Sequence, residues 1–164
     1  MSETSSAPTG VAAGRVDQVP KPGPEHERLN AIIGRWINEG HTINPDGTPG
    51  IKILASDVYE WAPGGFFVVH PAYGRIGDIG VGGIEIIGYD SASQKYQVHF
   101  FDSQGNVTRH GLTIQDRTWI WQGEHTRCTG VFSEDGKTQT AHHERTDDGK
   151  HWVASMDVTL RKVE

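Results

Sequence analysis

The stretch Leu29–Trp36, with the sequence LNAIIGRW, decides the fold of this chain of 164 residues. Its apolar residues recur at positions i, i+3 and i+4, so they share one helix face, and its glycine is typical of a helix end. A stripe this short cannot bury itself, and almost everything after it has the pattern of β-strands. We therefore predict a helical turn at about residues 24–33 that caps a β-barrel, with Trp36 buried at the same end.

Composition supports a thin-walled β-structure. The hydrophobic content is only 35%, and the chain contains 21 glycines and 8 prolines, which indicates frequent turns. The formal charge of -6, without any cluster of basic residues, argues against a nucleic-acid partner.

The sequence also restricts the expected location. It has one cysteine, Cys128, which excludes an internal disulfide framework and is typical of a reducing compartment. It has no run of 18 apolar residues, and its N-terminus lacks the pattern of a signal peptide. We expect a cytoplasmic protein that does not associate with a membrane.

The chain divides into a tail and one domain. Residues 1–23 are rich in Ser, Pro, Ala, Gly and Thr, which predicts a disordered tail, and residues 24–164 form the predicted barrel domain. Turn-forming residues separate ten strand-like runs, at 35–43, 51–61, 66–70, 84–89, 96–101, 107–115, 118–122, 126–133, 138–145 and 152–162.

This spacing predicts an all-β fold, a single antiparallel meander. Closure into a barrel of about ten strands removes the exposed sheet edges and leaves room inside for a small ligand. The glycine-rich residues 71–83 predict a mobile loop at the rim. The last run alternates best and predicts that Trp152, Ala154, Met156, Val158 and Leu160 share one face.

Several motifs resemble known families. Gly34-Arg35-Trp36 resembles the Gly-x-Trp signature of lipocalin-like (calycin) barrels, in which an arginine of the last strand, here Arg161, covers the tryptophan. The segments Trp61–His70, Glu85–Asp90 and Asp157–Arg161 resemble a bacterial family of lipocalin-like proteins, domain of unknown function 1579. The resemblance spans about residues 25–162 and implies a fold but no established activity.

A more distant resemblance raises haem as a cofactor. The ten-stranded nitrobindins open with Gly-x-Trp-x-Gly-x-Gly, but Asn38 stands where the middle glycine is expected. Their iron is held by a histidine late in the chain, whereas the last strand here contains none and only His151 stands at its start. We predict no haem and no other cofactor.

A metal site is not expected either, although the chain has nine histidines. His142 and His143 are adjacent, so on a strand their side chains point to opposite faces, and the sequence offers no evident third ligand.

Three residues are candidates for acid–base chemistry. His70 ends an apolar strand beside the predicted rim loop, which suits a general base or a ligand donor. Glu85 and His99 join it only if the polar faces of their strands line the barrel interior. The sequence does not decide between the two faces, although it favours an outward His99.

Aromatic residues supply a candidate binding site for a planar ligand. Trp119 and Trp121 share one strand face, and Trp152 and Met156 share another. With His70 they form the predicted ligand-binding set, although plain core packing explains the same pattern.

Two functions of different classes follow from these observations. The first is a binding module that holds a small lipophilic or aromatic molecule in the lumen. The alternative is a cofactor-free lyase, isomerase or hydratase that uses His70 with Glu85 or His99. A structural or dimerising module with a filled lumen, the latter a homodimer, is a third hypothesis.

Overall fold

The fold is described by a computed structural model that covers residues 19–164; most of the predicted tail, residues 1–18, lies outside the described residues. The elements in chain order are α1 Pro24–Glu27, a 3-10 turn Arg28–Ala31, β1 Gly34–Ile43, β2 Pro49–Trp61, β3 Phe67–Ile76, β4 Ile79–Asp90, β5 Lys95–Asp102, β6 Val107–Gln115, β7 Thr118–Gln122, β8 Thr126–Phe132, β9 Thr138–Arg145 and β10 Val153–Lys162.

The ten strands form a closed barrel. Each strand pairs antiparallel with the next in sequence, and β1 pairs with β10, with Trp36 opposite Lys162 and Thr42 opposite Met156. The predicted all-β meander barrel with a short helical cap is therefore confirmed.

The helical segment closes one end of the barrel. Leu29 and Ile32 are fully buried, and the indole nitrogen of Trp36 donates a hydrogen bond of 2.8 Å to the carbonyl oxygen of Ile32. Strands β2 and β5 also bind the helical segment. The indole nitrogen of Trp61 in β2 donates to Oδ1 of Asn30 at 2.9 Å, and the hydroxyl of Tyr96 in β5 donates to the carbonyl oxygen of Glu25 in α1.

The expected contact between Arg161 and Trp36 is wrong. Arg161 points away from the interior, where its guanidinium lies 3.6 Å from the carboxylate of Glu39. The ammonium group of Lys162 instead lies 5.3 Å from the centre of the Trp36 ring. Lys162 is the residue directly opposite Trp36 across the sheet, so register places its side chain, and not its neighbour's, on the same face.

The predicted rim loop at residues 71–83 is also wrong. These residues belong to β3 and β4, which pair along their whole length and turn at Gly77 and Asp78. The glycines serve close packing: a Cβ on Gly74 would lie 2.5 Å from that of Ala55, and one on Gly83 would lie 2.8 Å from the Phe100 ring. Glycine in these strands marks close approach of neighbouring groups.

The alternation predicted for the last strand stops at an irregularity in β10. Ala154 pairs with Glu144 and Met156 pairs with His143, which are adjacent in β9. Between these two pairs β10 therefore contains one extra residue. Such a bulge shifts the face on which earlier residues lie. Met156, Val158 and Leu160 line the interior, whereas Ala154 is exposed.

Replacing Gly40 with alanine is expected to lower the free energy of unfolding by about 1–3 kcal/mol, because overpacking forces the backbone to shift. A Cβ there would lie 2.0 Å from the carbonyl oxygen of Asp157 and 2.7 Å from the Cα of Val158. Gly111→Ala is the matched control, since nothing lies within 4 Å of its added methyl group. Equal urea midpoints for the two variants would contradict this close approach of β1 and β10.

None of the helices between residues 19 and 164 has the length and apolar character that crossing a lipid bilayer requires.

Candidate functional site

A cavity of about 470 Å³ occupies the barrel interior, between the closed end and the opposite rim. Every one of the ten strands contributes at least one side chain to its lining, because inward-facing residues alternate along each strand. The volume lies in the range of small-molecule sites.

Three ionisable side chains on neighbouring strands meet on one wall of this cavity. Nε2 of His70, in β3, lies 2.9 Å from Oδ1 of Asp57 in β2, and its Nδ1 lies 3.3 Å from Oε1 of Glu85 in β4. His70 and Glu85 are directly opposite each other across the sheet. The imidazole therefore bridges two carboxyl groups through its two ring nitrogens.

The environment of His70 favours its charged form. Burial acts to lower the pKa of His70, but the hydrogen bonds and charges of Asp57 and Glu85 outweigh it and raise the pKa to about 9. The ring of Tyr59 stacks on the imidazole, with 3.8 Å between ring centres. At neutral pH His70 is thus an imidazolium that donates both of its N–H groups to carboxylates.

The part of the wall formed by Cys128 in β8 and His143 in β9 is uncharged. Sγ of Cys128 lies 3.5 Å from Nε2 of His143. Burial lowers the pKa of His143 to about 4 and raises the pKa of Cys128 to about 12. This pair is therefore a neutral thiol beside a neutral imidazole, which does not suit Cys128 as a nucleophile at neutral pH.

Apolar side chains form a large part of the remaining lining. Phe100 and Trp121 supply aromatic surface, and Met156, Val158 and Leu160 supply a flexible aliphatic strip on β10. The cavity thus combines a broad apolar surface with convergent polar groups, as small-molecule sites do.

Four buried polar atoms on side chains that line the cavity have no hydrogen-bond partner within residues 19–164. They are Oδ1 of Asn38, Oδ2 of Asp57, Nδ1 of His110 and Nε2 of Gln139. Buried polar atoms are nearly always hydrogen-bonded in folded proteins, so these atoms mark positions at which a bound molecule can supply partners.

The rim carries a paired cation. The guanidinium of Arg127 lies 2.7 Å from the carboxylate of Glu144, and its carbon atom lies 4.4 Å from the centre of the Trp152 ring. Asp102 also lines the cavity here, and hydrogen bonds from Asn106 hold the pKa of its carboxyl group below the usual range.

The structure brings together two of the three residues predicted for acid–base chemistry. His70 and Glu85 are in contact, whereas His99 is on the opposite face of β5 from the cavity-lining Phe100. The prediction that His99 acts beside them is therefore wrong, because His99 faces away from the cavity. Asp57, which sequence reasoning missed, takes the third place. The signal for it was a carboxylate in the otherwise apolar alternation of Ile53, Ala55 and Tyr59.

The predicted aromatic set is divided in a similar way. Trp121 and Met156 line the cavity. Trp119 is fully buried in the core, where its ring packs against Phe132. Trp152 precedes β10 and lies under Arg127 at the rim. Trp119 and Trp152, which were predicted to bind the ligand, therefore do not line the cavity.

Within residues 19–164, no three side chains of His, Cys, Asp or Glu converge in a geometry that could hold a metal ion. The adjacent histidines separate as their strand requires. His142 faces outward, with Nδ1 at 2.5 Å from Oδ1 of Asp157, and His143 faces the cavity.

Comparisons with known proteins agree with this architecture. The sequence matches the model of the family described as "Protein of unknown function (DUF1579)" over residues 21–162. No curated protein matches it.

Two solved structures show the same fold. Rv2717c from M. tuberculosis is similar with a TM-score of 0.59 and 11% identity, over 87% of this chain and 99% of that one. The S-type phycobiliprotein lyase CPES from Guillardia theta is similar with a TM-score of 0.53 and 10% identity, over 85% of this chain and 93% of that one. At such identities the likeness concerns the barrel alone.

Proposed function

This chain belongs to the DUF1579 family of proteins of unknown function, and from that premise we propose that it binds a small molecule with an apolar or aromatic body in the barrel cavity. The observation that carries the proposal is the cavity of about 470 Å³. Phe100, Trp121 and Met156 offer apolar contact to the body of a ligand, and the unpartnered polar atoms offer fixed points that orient it.

Filling the cavity is expected to abolish binding. Ala141 faces the cavity and its neighbour Thr140 faces the outer wall, so Ala141→Phe and Thr140→Phe add the same aromatic group on opposite sides of β9. The uncharged dye N-phenyl-1-naphthylamine is the probe, followed by its fluorescence enhancement. We expect Ala141→Phe to weaken dye binding at least about tenfold, since its phenyl ring competes with the dye for one volume.

The outer-wall variant is the matched control for this experiment, and Thr140→Phe should bind the dye as the unmodified protein does. Loss of binding in Thr140→Phe with full binding in Ala141→Phe would place the dye on the outer wall. Undetectable binding of the dye and of related uncharged aromatic compounds would also reject a lumenal binding function.

A second candidate function is the cofactor-free lyase, isomerase or hydratase. The Asp57–His70–Glu85 cluster favours it, because Oδ2 of Asp57 is unpartnered in the cavity and a protonated His70 orients that carboxylate. In this scheme Asp57 is the candidate base that contacts substrate and His70 is a positioning residue. Liquid chromatography with mass spectrometry of ligands recovered after incubation tests the scheme, since a lyase or hydratase changes the mass of the ligand and an isomerase changes its retention time.

We also propose the cytoplasm as the location, since Cys128 is a free thiol inside the barrel, as suits a reducing compartment. The homodimer raised by the sequence is supported by a row of exposed apolar side chains on β4, β5 and β6. Ile84 is opposite Phe101 and Phe101 is opposite Val107 on the outer wall.

A further inference from the structure

We propose that the ligand of this cavity carries a protonated amine, held by Oδ2 of Asp57 and Oδ1 of Asn38. The inference rests on the proposed binding function and names the chemical class of the ligand. It depends on three features of the cavity. One wall has an excess of negative charge and acceptor atoms without partners, and an apolar surface lies opposite that wall.

The charged groups on the wall around His70 leave one negative charge uncompensated, and the carboxylate of Asp102 at the rim adds another. Two carboxylates, Asp57 and Glu85, flank the single imidazolium of His70. The other two histidines of the lining do not offset this excess, because burial lowers the pKa of both His110 and His143. At the rim, Arg127 is already paired with Glu144.

The unpartnered oxygens mark where that charge is available. Oδ1 of Asp57 accepts from His70, which leaves its buried Oδ2 without a partner among residues 19–164. Asn38 lies on the adjacent strand β1, in which Trp36 is opposite Asp57 and Asn38 is opposite Ala55. The side chains of Asn38 and Asp57 therefore both face the interior and are offset by two positions along the sheet. Diagonal neighbours of this kind lie about 7–8 Å apart in a sheet, so a ligand group placed between two inward-facing side chains can contact both.

An ammonium group fits these atoms better than a neutral or anionic one. It offers three N–H donors and no acceptor, so it can satisfy both oxygens at once. Its charge compensates the carboxylate, and a buried charge is tolerated where it is paired and hydrogen-bonded. Gln139, reached from Asn38 across Leu160, has an unpartnered Nε2 that can donate to an oxygen atom elsewhere on the ligand.

Three ligands of one shape test the assignment by displacement of N-phenyl-1-naphthylamine at pH 7. They are 1-naphthylmethylamine, which is cationic, 1-naphthalenemethanol, which is neutral, and 1-naphthoate, which is anionic. We expect the amine to bind at least about tenfold more tightly than the alcohol, and the carboxylate to bind most weakly. Equal affinities of amine and alcohol would overturn the inference and leave the binding function standing. Failure of the dye and all three compounds to bind would reject the binding function itself.

Two carboxylate substitutions locate the effect. Asp57→Asn keeps the shape of the side chain and removes its charge, so the preference for the amine over the alcohol should disappear while the alcohol still binds. Asp157→Asn makes the same change of charge on the outer wall, and the preference should persist. A preference that survives in Asp57→Asn would overturn the assignment to this carboxylate. The ligand series on the unmodified protein decides the inference even if Asp57→Asn does not fold.

Discussion

Trp36→Ala is expected to lower the free energy of unfolding by about 3–5 kcal/mol, the range seen when a large aromatic side chain is removed from a core. Trp36 is 1% exposed, and its ring packs against Phe132 between the helical cap and the last strand. The substitution also removes the donor to the carbonyl oxygen of Ile32, which adds the cost of a buried acceptor without a partner.

Chemical denaturation followed by circular dichroism measures this effect. Trp152→Ala is the matched control, because the same side chain is removed from a partly exposed position at the rim. We expect this control to lose about 1 kcal/mol or less, as surface positions do. Similar losses in both variants would mean that Trp36 does not join the cap to the barrel.

The fold was predictable because it depends on local patterns. Turn signals such as Asn44-Pro45-Asp46-Gly47 separate the strands, and the connection that they mark joins β1 to β2. The apolar stripe of Leu29 and Ile32 indicated a cap because no other surface could bury it, and both side chains are buried at the closed end.

Residues 71–83 were mispredicted because glycine has two opposite uses. It lowers the cost of an irregular loop, and it also permits close approach where a Cβ would collide. Only the neighbours of Gly74 and Gly83, which come from β2 and β5, distinguish the two uses. Those neighbours are distant in sequence, so the local pattern could not reveal them.

The candidate site was predictable in part for a related reason. The position of His70 at the end of an apolar run predicts it as a site residue, and Glu85 joins it in that prediction if the polar face of its strand lines the interior. Their contact depends on the register of β3 against β4, and that of Asp57 depends on β2 against β3. Register between strands depends on the geometry of each turn and on which face the barrel buries, whereas composition and spacing specify only which residues alternate.

The free energy of unfolding is expected to fall by about 3 kcal/mol as the pH rises from 6 to 9, because of the titration of His70. Its pKa is about 9 in the folded protein and has the ordinary value of 6.5 when the chain is unfolded. Below pH 6.5 both states bind the proton and the stabilisation is complete. Above that pH the unfolded chain releases its proton first, so the folded state loses its advantage until His70 also deprotonates near pH 9.

Two histidine variants separate this effect from other titrations. His70→Gln should remove most of the decrease between pH 6 and 9 in the free energy of unfolding, measured with urea at each pH. His143→Gln should retain it, since the pKa of His143 is lowered to about 4, so its contribution changes mainly between pH 4 and 6.5 and raises stability with pH instead of lowering it. Cys128, with its pKa raised to about 12 from an ordinary 9, contributes a loss only above this window. A decrease that persists in His70→Gln would show that the two carboxylates do not hold a charged imidazole between them.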